Sequence, residues 1–220
     1  MEIAKTYDAG IEPSDILECV PAEGILLCTQ ALVGVGDTCI VTWPAYQSLY
    51  EIACSRGAEV RFWRARGGGP QRLRFDVRDL VAEVQAVQRT GGAVKMILIN
   101  FPHNPTGCSL SPAELEQVVR IARGCGAYLI GDEMYRGLEY EGNRPLPAVC
   151  ELYEKGVSLS GMSKVSRGGD CAWLHRMPQR RNVATSLTAT TNAEHCALPI
   201  RTRLPDAHTR AHTRTHTGPG

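Results

Sequence analysis

The sequence has no surplus of either charge: 24 lysines and arginines stand against 23 aspartates and glutamates, a formal net charge of +1. A balance this even leaves no electrostatic footprint for nucleic acid or for an anionic membrane, so neither is expected as a partner. Long apolar runs are missing too. None reaches the roughly 18 to 20 residues of a membrane span, and the opening "MEIAKTYDAG" has no signal-peptide core. The nine cysteines include no C-x-x-C pair. Cys28, Cys39 and Cys125 fall in stretches that read as helix or strand, where a thiol behaves as a small buried hydrophobe. A disulfide framework is not expected, and a reducing, cytoplasmic setting is. No Gly-Lys-Ser/Thr follows "GGG" at 67–69, which leaves a surface turn rather than a phosphate loop.

What the chain does have is an alternation of β-rich and helical stretches from about residue 15 to 160. "DILECV" (15–20), "DTCIVTW" (37–43), "AEVRFWR" (58–64), "AVKMILIN" (93–100), "AYLIGDE" (127–133) and "GVSLS" (156–160) read as strands. Between them, helices are expected over 22–33, over 45–57 opened by Pro44 and stopped by Gly57, over 76–88 capped by Asp76, and over 111–126. The last of these has a Ser cap, a proline at its first position and a glycine stop. Strand–helix repetition predicts a three-layer α/β/α fold around a mostly parallel sheet. Ligands of such sheets lie at the carboxyl ends of the strands. Past residue 165 neither period is sustained, and "PDAHTRAHTRTHTGPG" is low complexity. The expected division is an ordered domain over 1–165 and an irregular, disordered tail over 166–220. In that tail His212 and His216 are spaced like the end of a Cys2His2 zinc site. Only Cys196 lies in range where two thiolates are needed, so no metal is expected.

Three strand ends carry unusual chemistry. After "KMILI" comes "NFPHNPTG" (100–107), a turn stiffened by two prolines that carries Asn104. After "AYLIG" comes "DEMY", with Asp132 and Tyr135, and after "GVSLS" comes "GMSK", ending in Lys164. An acid, an amide, a phenol and an amine converging on one sheet edge suit pyridoxal phosphate (PLP). The cofactor's aldehyde needs a lysine, and its pyridine nitrogen needs a carboxylate to stay protonated. Its ring oxygen gains from neutral donors. Glu133 is read as structural.

"NFPHNPTG", "DEMYRGLEY" and "SGMSK" resemble, in order and interval, the class I/II aminotransferases of PLP fold type I. "WPAYQSLYE" and "VPAEGI" resemble two further blocks of that family, and the likeness spans roughly residues 7–165. The resemblance implies Lys164 as the Schiff-base lysine, Asp132 as the pyridinium partner, and Asn104 and Tyr135 on the ring oxygen. It implies Tyr46 stacked on the ring face, worth about 1 kcal/mol. It also implies Ala22 and Glu23 at the phosphate, through the amides that open the first helix.

The family pattern breaks after the lysine. "VSRGGDCAWLHRMPQRR" stands where relatives have an aromatic-Gly-Leu-Pro-Gly-Leu-Arg type segment, so Arg167 takes no phosphate role, and Gly161 stands where others have serine. The small C-terminal domain, its carboxylate-gripping arginine and the N-terminal closing segment are not in the chain. The expectation is a transaminase between amino acids and 2-oxo acids, truncated and of little activity, in a family of homodimers. The alternatives are a non-catalytic PLP-binding remnant, a mispredicted product whose tail is translated out of frame or from intron, and a PLP lyase or synthase on the same fold.

Overall fold

The computed structural model describes residues 7, 11–67, 73–139, 145–165 and 172–176. In chain order it contains β1 (Ile16–Cys19), α1 (Pro21–Leu32), β2 (Thr38–Trp43), α2 (Ser48–Ser55), β3 (Glu59–Arg64), α3 (Val77–Arg89) and β4 (Val94–Asn100). It continues with α4 (Pro112–Cys125), β5 (Tyr128–Asp132), α5 (Val149–Leu152), β6 (Gly156–Gly161), α6 (Met162–Val165) and β7 (Ala172–Arg176). The strands form one sheet in the order β1-β7-β6-β5-β4-β2-β3. Strands β2 to β6 pair in parallel, and β7 runs antiparallel to both of its neighbours.

The near-continuous apolar strands follow from burial on both faces. Successive residues alternate sides, and the two core clusters divide accordingly. Cys39, Val41, Met96, Leu98 and Ile130 pack with Ile25 and Cys28 of α1 and Leu49 and Ala53 of α2. Ile40, Ile97, Ile99 and Leu129 pack with residues of α3, α4 and α5 on the other side. The three-layer α/β/α reading is met.

Local signals explain most element ends. Asp76 caps α3 by accepting the Arg78 N–H at 2.9 Å. Ser111 and Glu114 form a reciprocal capping box at α4, whose stop is Gly126 at φ 72°, a conformation that favours glycine. Two expectations are corrected. Pro44 does not open α2, which begins at Ser48; residues 44–47 stay outside the helix and carry Tyr46 to the sheet's carboxyl edge. The segment beyond residue 165 is not irregular throughout, because 172–176 enter the sheet between β6 and β1. The remainder of that segment, with Arg167, Cys196, His212 and His216, lies outside the described residues, as do two of the three glycines at 67–69.

Candidate functional site

Three strands end side by side on the α1 face. Asn100 of β4 is in register with Asp132 of β5, and Asp132 with Leu159 of β6. Just beyond, an open cleft of about 340 Å³ is lined by Ala22, Tyr46, Asn104, Asp132, Tyr135 and Lys164, with Ile25, Met134 and Leu159 as apolar floor and wall. Six of the seven residues singled out in the sequence therefore share one cavity. Tyr46 sits at the rim, 50% exposed. Glu23 is the exception: it is not among the lining residues, and its carboxylate turns back to accept the Val20 N–H at 3.2 Å.

Asn104 is held from below. The buried Asn100 side chain accepts the Asn104 N–H through Oδ1 at 2.8 Å and donates through Nδ2 to the Asp132 carbonyl, also at 2.8 Å. One amide thus sets the heights of two cleft residues. The turn is tightened further by His103, whose N–H donates to the Cys108 carbonyl at 2.8 Å and whose Nδ1 pairs with Thr106 Oγ1 at 2.7 Å. Its ring packs edge-on against Phe75, with centroids 4.6 Å apart. Burial, opposed by the nearby Pro44 carbonyl, brings the imidazole pKa down to about 4, so the ring is neutral scaffolding. Neither Asn100 nor His103 was singled out from the sequence. The available signal for Asn100 was its place as a lone polar residue closing an apolar strand.

Asp132 is the most perturbed group in the cleft. It is 6% exposed, and among the described residues its carboxyl group accepts one long hydrogen bond, from the Met134 N–H to Oδ1 at 3.3 Å. No cation lies within ion-pair distance of it among the described residues. Burial pushes its pKa up to about 6, against the small opposing pull of the Met134 amide. A carboxylate desolvated this far and left without a counter-charge is suited to a cationic N–H, which would restore its ionised form. Lys164, exposed on α6, supplies an amine to the same cleft. At the other end Ala22 opens α1, whose first-turn amides have no acceptor within the helix; Pro21 contributes none. Ring, aldehyde and phosphate of PLP each find a matching group. Among the described residues no cluster of three or more metal-ligating side chains occurs.

Comparison with known proteins agrees with this geometry. The profile of the family "Aminotransferase class I and II" matches residues 22–166. An aspartate aminotransferase of Sulfolobus acidocaldarius is 26% identical over 141 residues, covering 64% of this chain and 34% of the relative. Human kynurenine–oxoglutarate transaminase 3 is 28% identical over 214 residues, covering 92% of this chain and 46% of the relative, so that alignment runs past residue 165. A PLP-dependent aminotransferase structure from Streptococcus suis superposes with a TM-score of 0.71 at 32% identity, over 85% of this chain and 47% of the other. The chain therefore spans between about a third and a half of the length of the proteins it matches. By its matched residues, its sheet and its cleft, it belongs to the class I and II aminotransferase family.

Proposed function

We propose that this chain is the cofactor-holding part of a transaminase that moves an amino group between an amino acid and a 2-oxo acid. The observation that carries the reading is one cleft fed by separate strand ends, with Asn104 after β4, Asp132 at the end of β5 and Lys164 after β6. The cofactor is pyridoxal phosphate, which when bound supplies an aldehyde for the substrate nitrogen and a ring that withdraws electrons from the carbon bearing it. Lys164 would hold the aldehyde carbon through Nζ and, once displaced, serve as the base that takes the proton from the substrate α-carbon. Asp132 would hold the pyridine nitrogen protonated. Asn104 and Tyr135 would donate to the ring oxygen, Tyr46 would lie against a ring face, and the first amides of α1, at Ala22 and Glu23, would meet the phosphate.

Residues 1–165 are taken as the family's large domain in part, with 172–176 completing its sheet. The apolar side chains of Leu17, Val20 and Tyr46 are exposed, which agrees with assembly as a homodimer. Free thiols at Cys28, Cys39, Cys54, Cys108, Cys125 and Cys150 agree with a reducing, cytoplasmic compartment.

The test is spectroscopic. The purified chain mixed with pyridoxal phosphate should develop a visible absorbance that borohydride removes and that Lys164→Ala lacks. Added amino acid should then yield the corresponding 2-oxo acid. Absorbance without 2-oxo acid would reduce the assignment to cofactor binding, release of ammonia or a thiol would point to a lyase, and no absorbance would overturn it.

A further inference from the structure

Asp132 and Glu133 are adjacent in sequence and leave the sheet on opposite faces. Asp132 shares its side with Ile130 and the cleft, whereas Glu133 shares its side with Leu129 and points toward α5. Glu133 is 6% exposed, and its Oε1 accepts two hydrogen bonds, from the Val149 N–H at 2.8 Å and from Ser158 Oγ at 2.7 Å. Ser158 Oγ in turn accepts the Cys150 N–H at 3.1 Å. The Glu133 backbone N–H donates to the carbonyl of Leu159, a cleft residue, at 2.7 Å. The chain keeps room for this knot with glycines. A Cβ on Gly131 would come 2.9 Å from Glu133 Oε1 and 2.8 Å from Val149 Cγ2, and a Cβ on Gly156 would come 2.5 Å from the Val149 carbonyl oxygen.

A buried carboxyl group carries a heavy desolvation cost, so an apolar side chain would be the default at this position. Here an apolar residue would leave the Val149 amide and the Ser158 hydroxyl without an acceptor. We propose that Glu133 is a positioning residue of the cofactor cleft: from the far face of the sheet its carboxyl group clamps the end of β5 to α5 and to the middle of β6. The clamp holds Asp132 and, through Leu159 and the end of β6, Lys164 at their places. This inference rests on the reading of Asp132 and Lys164 as the cofactor-holding pair.

The test compares Glu133→Ala, Glu133→Gln and Ser158→Ala in the full chain. Without cofactor, amide hydrogen exchange reads the clamp directly, because the Met134 N–H bonds Asp132 Oδ1. Glu133→Ala should speed exchange at Met134 and along 159–164 by about tenfold or more, as expected when buried donors lose their acceptor. Glu133→Gln keeps a carbonyl oxygen for both donors and should restore protection. Ser158→Ala, which removes one of the two donors, should give a smaller loss at the same residues and covers the case in which the alanine variant does not fold. With pyridoxal phosphate, the dissociation constant should rise about tenfold in Glu133→Ala and stay near the wild-type value in Glu133→Gln. Unchanged protection at Met134 in Glu133→Ala or Ser158→Ala, or a glutamine variant as loose as the alanine one, overturns the proposal. A wild-type chain that takes up no pyridoxal phosphate refutes the cofactor reading instead, while the exchange result still decides the role of Glu133.

Discussion

Asp132 gives the cleft a pH dependence whose sign can be worked out. In the cofactor-free fold burial raises its pKa from 3.8 to about 6, because burial disfavours the charge. A pyridinium needs the ionised form. Affinity for pyridoxal phosphate should therefore be steady above pH 6 and fall as pH drops below it, readable by equilibrium titration at constant salt. Asp132→Asn should remove the dependence together with most of the affinity. Asn100 makes a second prediction at this scale. Asn100→Ala leaves the Asp132 carbonyl and the Asn104 amide unpaired in a buried place, at a cost of about 2 kcal/mol by denaturant unfolding. Asn100→Asp keeps an acceptor for Asn104 but has no donor for the Asp132 carbonyl.

Six of the residues that line the cleft were legible in the sequence and the residues that support them were not, for a physical reason. Lys164, Asp132 and Asn104 announce themselves by standing just past apolar strands. The partners of Asn100 and Glu133 lie as far as 32 and 25 residues away in sequence, and only the sheet register brings them together. Glu23 was read for its backbone amide in the first turn of α1, and its side chain serves the helix's own Val20 N–H.

At the scale of elements, sequence signals succeeded where a start or stop is local. Ser111 and Gly126 bracket α4 because one caps through its hydroxyl and the other reverses the chain at positive φ. Pro44 failed as a helix opener because the proline preference for the first turn says nothing about an intervening turn, here the bend at 44–47 that ends with helical dihedrals at Gln47. β7 could not be read at all: 172–176 make a strand by insertion between two others, a property of the sheet rather than of five residues. The packing of β5 on α5 also allows a direct test. Gly131→Ala forces its methyl group to within 2.8 Å of Val149 Cγ2, so it should destabilise the fold by about 1–3 kcal/mol, where an exposed Gly→Ala change would be neutral or helpful.

For the whole molecule, two buried carboxyl groups set the response of stability to pH. Burial raises Glu133 from 4.5 to about 7 and Asp132 from 3.8 to about 6, so the folded chain holds more protons than the unfolded one across these windows. His103, lowered from 6.5 to about 4, works the other way and offsets one of these two protons over its own window, so the net expectation is an unfolding free energy that falls as pH rises from about 4.5 to 7. Urea melts at pH 5 and pH 8 without cofactor should show the decline, and Glu133→Gln should flatten its upper part. Thiol reactivity gives an independent check of the same core. Burial pushes Cys28, Cys39 and Cys150 up to about 12, and these should react with a thiol reagent only on unfolding, whereas the exposed Cys54 should react in the native chain.

The position of β7 has a consequence for the order of events during synthesis. Within the described sheet β1 has β7 as its sole neighbour, and β1 leads directly into α1 at one end of the cleft. During synthesis β1 therefore has no partner in the described sheet until residues 172–176 have emerged. A chain shortened to end at Val165 would carry Lys164 and Asp132 yet leave β1 undocked, and protease should cut it near residue 20 under conditions that spare the full chain at that place.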